Sequence, residues 1–177
     1  MKPQGLFSLI ASDIRAKAQW IYGDVTARTI LKTLFTDGTF AMIMYRCMQT
    51  SRRLHFVPLA MMFNKINVVC GQCIIGRGAD FGPGFVLIHS QGVVINSAVR
   101  GGSDVKLEHQ VTIGAEKNAA PVLGDNVFIG AGAKIIGGVH VGCNVRIGAN
   151  AVVVNDIPDG TTAVGIPARA IEKSDGR

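Results

Sequence analysis

From residue 69 to residue 154 the chain places an apolar side chain at every sixth position, through Val69, Ile75, Phe81, Leu87, Val93, Val99, Val105 and Val111. The count misses once, at Lys117, and resumes in phase with Leu123, Ile129, Ile135, Val141, Ile147 and Val153. Glycine follows the apolar residue at Gly76, Gly82, Gly124, Gly130, Gly142 and Gly148. Four positions after the apolar residue the side chain is often small, as at Ala79, Ala133 and Ala151. A sustained hexapeptide period predicts a parallel β-helix, in which three short strands close a triangular coil of about 18 residues. The beat residue and the small residue point inward and stack between coils. Glycine serves the corners, where positive φ or close packing would penalise a β-carbon.

Upstream the periodicity changes. Leu6, Ile10, Ile14, Ala18 and Ile21 recur at helical spacing within residues 5–22, and Gly23 ends that helix. Asp24 stands where an N-cap would precede a second helix over Thr26–Phe35. After the break at Thr36-Asp37-Gly38, Phe40–Met48 and Leu54–Phe63 read as further helical pieces around the basic pair Arg52-Arg53. Residues 1–66 thus form a helical lead-in expected to cover the first coil, whose strand edge would otherwise lie unpaired. The β-helix is expected over residues 67–157, and an extended exit and tail over 158–177, with the last residues, Glu172–Arg177, disordered. Two irregularities stand out in the coils. Arg100-Gly101-Gly102-Ser103 is glycine-rich, which would let a ligand approach the backbone. Residues 115–121, AEKNAAP, read as a loop leaving the prism, and such loops commonly carry function.

Composition narrows the picture little further. At 177 residues the chain is one domain or one domain plus a small appendage, and its 6% aromatic content argues against a sandwich with a large aromatic core. The formal charge of +6 favours an anionic ligand or partner without choosing among a phosphorylated cofactor, nucleic acid and a membrane surface. The aromatic stacking residues of single-strand nucleic-acid binders are missing, so nucleic acid is set aside. Four cysteines make no secretory framework. Cys70-Gly71-Gln72-Cys73 has redox spacing but sits in the hexad phase without a βαβ setting, so it reads as structural. No second Cys or His pair completes a zinc site, and no metal is expected. The N-terminal stretch is a poor signal peptide and Leu54–Phe63 is too short to span a bilayer, which makes the cytoplasm the expected location.

Four histidines are the main candidates for chemistry. His55 falls in the helical lead-in and His140 in a regular hexad, both places for a solvated or structural ring. His89 and His109 differ: they lie about one coil apart, in IHSQGVVIN and LEHQVTIG, and would occupy neighbouring places on successive coils. An imidazole titrating near neutrality can take the proton of a hydroxyl as that oxygen attacks an acyl carbonyl. Backbone N–H groups at a glycine-rich corner would stabilise the oxyanion. No Ser-His-Asp arrangement is evident, so direct transfer is preferred to a covalent enzyme intermediate.

Residues 69–169 resemble the hexapeptide-repeat acyltransferases, and within them the serine acetyltransferase family. The likeness is carried by IHSQGVVIN, VTIG, IGAGAKIIGGVHVGCNVRIGANAVV and PDGTTAVGIPAR, and by SDIRA and GTFAMIMYR in the lead-in. The resemblance implies a left-handed parallel β-helix, acetyl-CoA as donor, and a homotrimer with active sites between subunits; trimers can pair further through the cap. It places His89 as the general base and Ala131 and Ala149 along the pantetheine arm, where larger side chains would obstruct it. Arg169 and Lys173 are placed to meet the CoA phosphates, and Asp24 near an acceptor-binding Asp.

Departures from the family pattern bear on the acceptor. The family's Asp before the catalytic His is Ile88 here, and its acidic partner about a coil earlier is Ile74. The Arg-His pair that helps hold serine corresponds to Ala119-Ala120 in a shortened loop. His109, the short loop and the VVIN segment are shared with exopolysaccharide-type acetyltransferases. A sugar hydroxyl and L-serine therefore both stand as acceptors. A non-catalytic β-helix used for assembly, or an anion-binding scaffold, is the alternative from outside enzymology.

Overall fold

The computed structural model describes residues 5–171; Lys173 and the rest of the tail from Glu172 lie outside the described residues. Four helices come first: α1 (Leu6–Tyr22), α2 (Ala27–Leu34), α3 (Thr39–Arg53) and α4 (Val57–Cys70). Fifteen short strands follow among the described residues. The first coil holds β1 (Ile74–Ile75), β2 (Asp80–Phe81) and β3 (Val86–Leu87), and the second β4 (Val94–Ile95), β5 (Arg100–Gly101) and β6 (Lys106–Leu107). The third holds β7 (Thr112–Gly114), β8 (Val122–Leu123) and β9 (Phe128–Ile129), and the fourth β10 (Lys134–Ile136), β11 (His140–Val141) and β12 (Arg146–Ile147). Then come β13 (Val152–Val153), β14 (Thr162–Gly165) and β15 (Ala168–Ile171).

The strands pair in parallel into three sheets, β1-β4-β7-β10-β13, β2-β5-β8-β11 and β3-β6-β9-β12-β14, with β15 turning back antiparallel on β14. This is the parallel β-helix that the period predicts. Its interior is a stack of aliphatic ladders such as Ile75, Ile95, Ile113, Ile135 and Val153, all 1% exposed or less.

The register shows why the six-residue count resumes in phase after its miss at Lys117. Ile75 to Ile95 takes twenty residues, Ile95 to Ile113 eighteen, Ile113 to Ile135 twenty-two, and Ile135 to Val153 eighteen. Two extra residues lie between Leu87 and Ile95, at the corner that holds His89. Four more lie between Ile113 and Leu123. Between the two insertions the count falls on Val93, Val99, Val105 and Val111, buried residues two places before the strand residues that carry each ladder. Together the insertions make one hexad, so the beat returns in phase. At the start, Val69 is not a coil position: α4 continues to Cys70 and leaves Val69 76% exposed.

Both irregular segments have a definite local structure. Gly101 takes its place in the ladder beside Phe81, and the Phe81 ring fills the volume a β-carbon at Gly101 would need. The glycine run thus makes room for a core aromatic, which packs 4.5 Å from the Phe85 ring. Residues 115–121 form a tight hairpin, with Glu116 and Ala119 exchanging backbone hydrogen bonds of 2.9 Å around Lys117 and Asn118, both at positive φ.

The helical cap has a definite task. Each coil donates its N–H groups to carbonyls of the next, as from Gly76 to Ile95 and from Val86 to Val105. First-coil carbonyls that face the cap therefore have no coil above them, and an unpaired buried carbonyl is costly. Side chains of the cap supply the donors. Asn64 Nδ2 reaches the Ile75 carbonyl at 2.8 Å, and Tyr45 Oη that of Ala79 at 3.2 Å. Arg46 donates to the carbonyls of Phe81 (2.9 Å) and Gly82 (2.6 Å), and Lys17 to that of Leu87 (2.8 Å). Arg46 is fully buried and its guanidinium is held bidentately by Asp13 at 2.6 and 2.9 Å. On the outside, Trp20 of α1 stacks on Phe128 at 5.2 Å.

Candidate functional site

β3, β6, β9, β12 and β14 lead into one corner of the prism. Counting two residues past the paired positions Leu87, Leu107, Ile129, Ile147 and Ala163 gives a column of His89, His109, Ala131, Ala149 and Gly165. Four residues singled out from sequence thus share one edge, imidazoles at the cap end and methyl groups beyond them. The rings of His89 and His109 lie 5.9 Å apart at 72° to each other. With Gln91, Gly92 and Gln110 they line a cavity of about 340 Å³. The two-residue insertion widens this corner alone, which explains why the cavity opens here.

His89 is half exposed, and its Nδ1 lies 3.2 Å from Oδ2 of Asp37. Neither Ile88 nor Ile74 provides the acid, which comes instead from the turn between α2 and α3. From sequence, Thr36-Asp37-Gly38 is only a break between helices. The sequence offers no more than an acidic residue in a turn; that the turn packs on the cap end of the coil is visible only in the structure. His109 Nδ1 stands 3.6 Å from Glu108, beyond hydrogen-bond length.

That turn is held from several sides. Gly38 adopts φ +75°, and a β-carbon there would come within 2.5 Å of the Leu87 carbonyl oxygen, so only glycine lets the turn lie against β3. Hydroxyls of Thr36 and Thr39 donate to the Thr33 carbonyl at 2.8 and 2.7 Å. Beneath it the fully buried Lys17 donates both to the carbonyl of Asp37 and to that of Leu87.

Burial pushes Lys17 down to about 8, against the opposing pull of Asp37. A lysine with a folded pKa below its unfolded value of 10.5 binds fewer protons when folded, so its contribution to stability is lost as pH falls through 8 and complete above 10.5. Urea titrations should therefore show the wild type gaining on Lys17→Met between pH 8 and 10, by at most about 1.4 kcal/mol per pH unit. Burial also pushes the Cys73 thiol up to about 12, which suits packing rather than redox chemistry; this opposite contribution is common to both proteins and cancels.

The remaining sequence candidates are placed less centrally. Asp24 lies exposed in the α1–α2 connection and is not among the residues lining the His89 cavity. The N-cap of α2 is Thr26, which forms a capping box with Thr29, because Asp24 lies two residues too early. Arg169 pairs with Val164 on the terminal hairpin, next to Gly165 at the foot of the histidine–alanine column. The glycine-rich 100–103 segment does not line the cavity. Gly92 does, but its N–H is committed to the Gln72 carbonyl at 3.0 Å.

Comparison with known proteins gives the class to which this site belongs. The family described as "Bacterial transferase hexapeptide (six repeats)" matches residues 120–155. A serine acetyltransferase of Helicobacter pylori strain J99 is 38% identical over 144 residues, covering 79% of this chain and 84% of that protein. A serine acetyltransferase solved in complex with CoA superposes with a TM-score of 0.85 at 30% identity, over 94% of this chain and 69% of that one. The soybean enzyme complexed with serine gives 0.84 at 32% identity, over 94% and 69%. Fold and repeats define a hexapeptide-repeat acyltransferase. The chain belongs to the serine acetyltransferase family.

Proposed function

We propose that the protein transfers the acetyl group of acetyl-CoA directly to an acceptor hydroxyl, with His89 as general base. The observation that carries this reading is the Asp37–His89 contact at the head of a column that continues as Ala131 and Ala149. With Nδ1–H donated to Asp37, the lone pair of His89 lies on Nε2. His89 Nε2 takes the hydroxyl proton as the acceptor oxygen bonds to the thioester carbon. When the C–S bond breaks, the imidazolium returns that proton to the sulfur, giving the acetyl ester and free CoA. His109 orients the acceptor beside it. The methyl-only stretch at Ala131 and Ala149 leaves a groove for the pantetheine arm, and Arg169 and Lys173 meet the CoA phosphates. The assignment of Asp24 to the acceptor rests on its motif alone.

In this reading the coil is left-handed, and the catalytic prism, expected from residue 67 to 157, starts only after α4 ends at Cys70, with the four helices as its cap and residues 158–177 as its exit. Three chains associate so that a neighbour closes each cavity, and trimers can pair through the cap. Half-exposed Ile74 and Val94 on one outer face support such association. No helix among the described residues is long and apolar enough to cross a membrane, and a cytoplasmic enzyme would meet acetyl-CoA directly.

The relatives are named for serine. A second acceptor, a sugar hydroxyl of the exopolysaccharide type, is favoured by the cavity wall: Gln91, Gln110 and His109 suit neutral hydroxyls, and no arginine or lysine is among its lining residues. Following CoA release from acetyl-CoA over L-serine and a panel of sugars tests both. Acceptor-dependent release is expected, whereas a burst without acceptor would indicate hydrolysis and overturn transfer. Ala149→Leu should raise the KM for acetyl-CoA by about tenfold, corresponding to some 1.4 kcal/mol of lost binding; an unchanged KM would remove this edge from the donor site.

A further inference from the structure

We propose that Lys17 is a positioning residue for the acid–base pair: by clamping the Asp37 carbonyl to the Leu87 carbonyl, it sets the Asp37 carboxylate at hydrogen-bonding distance from His89. The inference rests on the reading of His89 as the base and adds what assembles that base.

The pair cannot hold itself. The side chains of Asp37 and His89 are 63% and 47% exposed, and a contact in such a setting contributes little against the freedom of two side chains. Its geometry must come from the backbones that carry it. Those backbones belong to different parts of the chain, 52 positions apart, one in a cap turn and the other on a coil corner. Lys17 joins them. Its ammonium donates to the carbonyl of Asp37 itself and, at 2.8 Å, to that of Leu87, two residues before His89.

Other cap donors, Asn64, Tyr45 and Arg46, also reach first-coil carbonyls. Their targets, Ile75, Ala79, Phe81 and Gly82, lie earlier in the coil and away from the histidine corner. Lys17 alone among these donors spends a second hydrogen bond on the turn that carries the acid. The Gly38 contact with Leu87 keeps the turn close, but a van der Waals contact does not fix its rotation. A two-point clamp through carbonyl oxygens does, and misplacement by about 1 Å can cost some hundredfold in rate.

The test compares Lys17→Met, Asp37→Asn and the double variant, measuring kcat for CoA release with whichever of L-serine or the sugar panel is acetylated. Asp37→Asn and Lys17→Met should each lower kcat by about tenfold or more, with KM for acetyl-CoA unchanged, and the double variant should be no slower than the slower single. Losses that multiply, or a Lys17→Met enzyme with wild-type kcat, would overturn the clamp. A readout that needs no acceptor accompanies it: long-range proton–nitrogen spectra of the His89 ring. The Nδ1–H tautomer is expected to dominate in the wild type and to be lost equally in Asp37→Asn and Lys17→Met. A wild-type ring spectrum in Lys17→Met would also overturn the clamp. If Lys17→Met does not fold, Lys17→Gln, whose amide can serve one carbonyl, enters the same cycle and spectra, judged by the same outcomes. Full activity in His89→Ala would instead reject the base, while the ring spectra would still decide whether Lys17 orders the pair.

Discussion

Replacing His89 with alanine is expected to lower acetyl transfer by about 10²–10⁴-fold, the range contributed by a positioned acid–base group, while leaving the fold unchanged. The ring is half exposed on a prism corner, and its side-chain hydrogen bond is to Asp37. Removing it therefore opens no core cavity and strands no buried group. CoA release measured beside a thermal melt separates the two effects: a silent melt with lost turnover supports the base, and retained turnover rejects it. His109→Ala should be milder, since the role proposed for His109 is to orient the acceptor and its nearest acid is beyond hydrogen-bond length.

The second large effect is on stability. Asp13→Ala is expected to destabilise the protein by about 3–5 kcal/mol, because it leaves the fully buried Arg46 without its counter-ion. It also removes the acceptor for the Phe85 N–H, held by Asp13 at 3.0 Å. For a chain of this size the midpoint of thermal unfolding should fall by about 6–20 °C. Buried ion pairs can often be exchanged for apolar residues at little cost, but this one should resist exchange. Arg46 also serves the carbonyls of Phe81 and Gly82, so an Asp13→Leu/Arg46→Met pair would leave the Gly82 carbonyl without this donor and the Phe81 carbonyl with only the 3.2 Å bond from Gln49. A double variant as stable as wild type would show that these carbonyls find other partners.

The contrast between what the residues disclose and what they conceal is physical. A β-helix repeats one local environment, so its period is written along the chain, and the inward ladders were legible from spacing alone. The phase was not. A two-residue insertion at the His89 corner and a four-residue insertion before Leu123 cancel in a count of six, and both buried positions of a hexad accept valine. From sequence Gly101 suggests a ligand approach, because the partner that needs its space, Phe81, comes from the coil before. The pairing of His89 with His109 could be expected from their spacing of about one coil, whereas Ala131 and Ala149 were marked only by the resemblance to the family.

Asp37 could not be seen in this way. Its contact with His89 depends on how α1, α2 and α3 dock on the first coil, and that docking is directed by Lys17, Tyr45, Arg46 and Asn64 donating to carbonyls. A backbone edge has no side-chain signature, so the purpose of these polar residues stays hidden until the coil end is in view. Two buried cations inside helices can then be understood as donors for an unpaired strand edge.

The decisive measurement is a crystal structure of the protein with CoA bound. The pantetheine arm is expected along the Ala131–Ala149 edge, with its thiol reaching the cavity beside His89 while Asp37 still holds Nδ1. CoA bound elsewhere, or lying on that edge with its thiol directed away from His89, would contradict a transfer in which this imidazole takes the acceptor's proton.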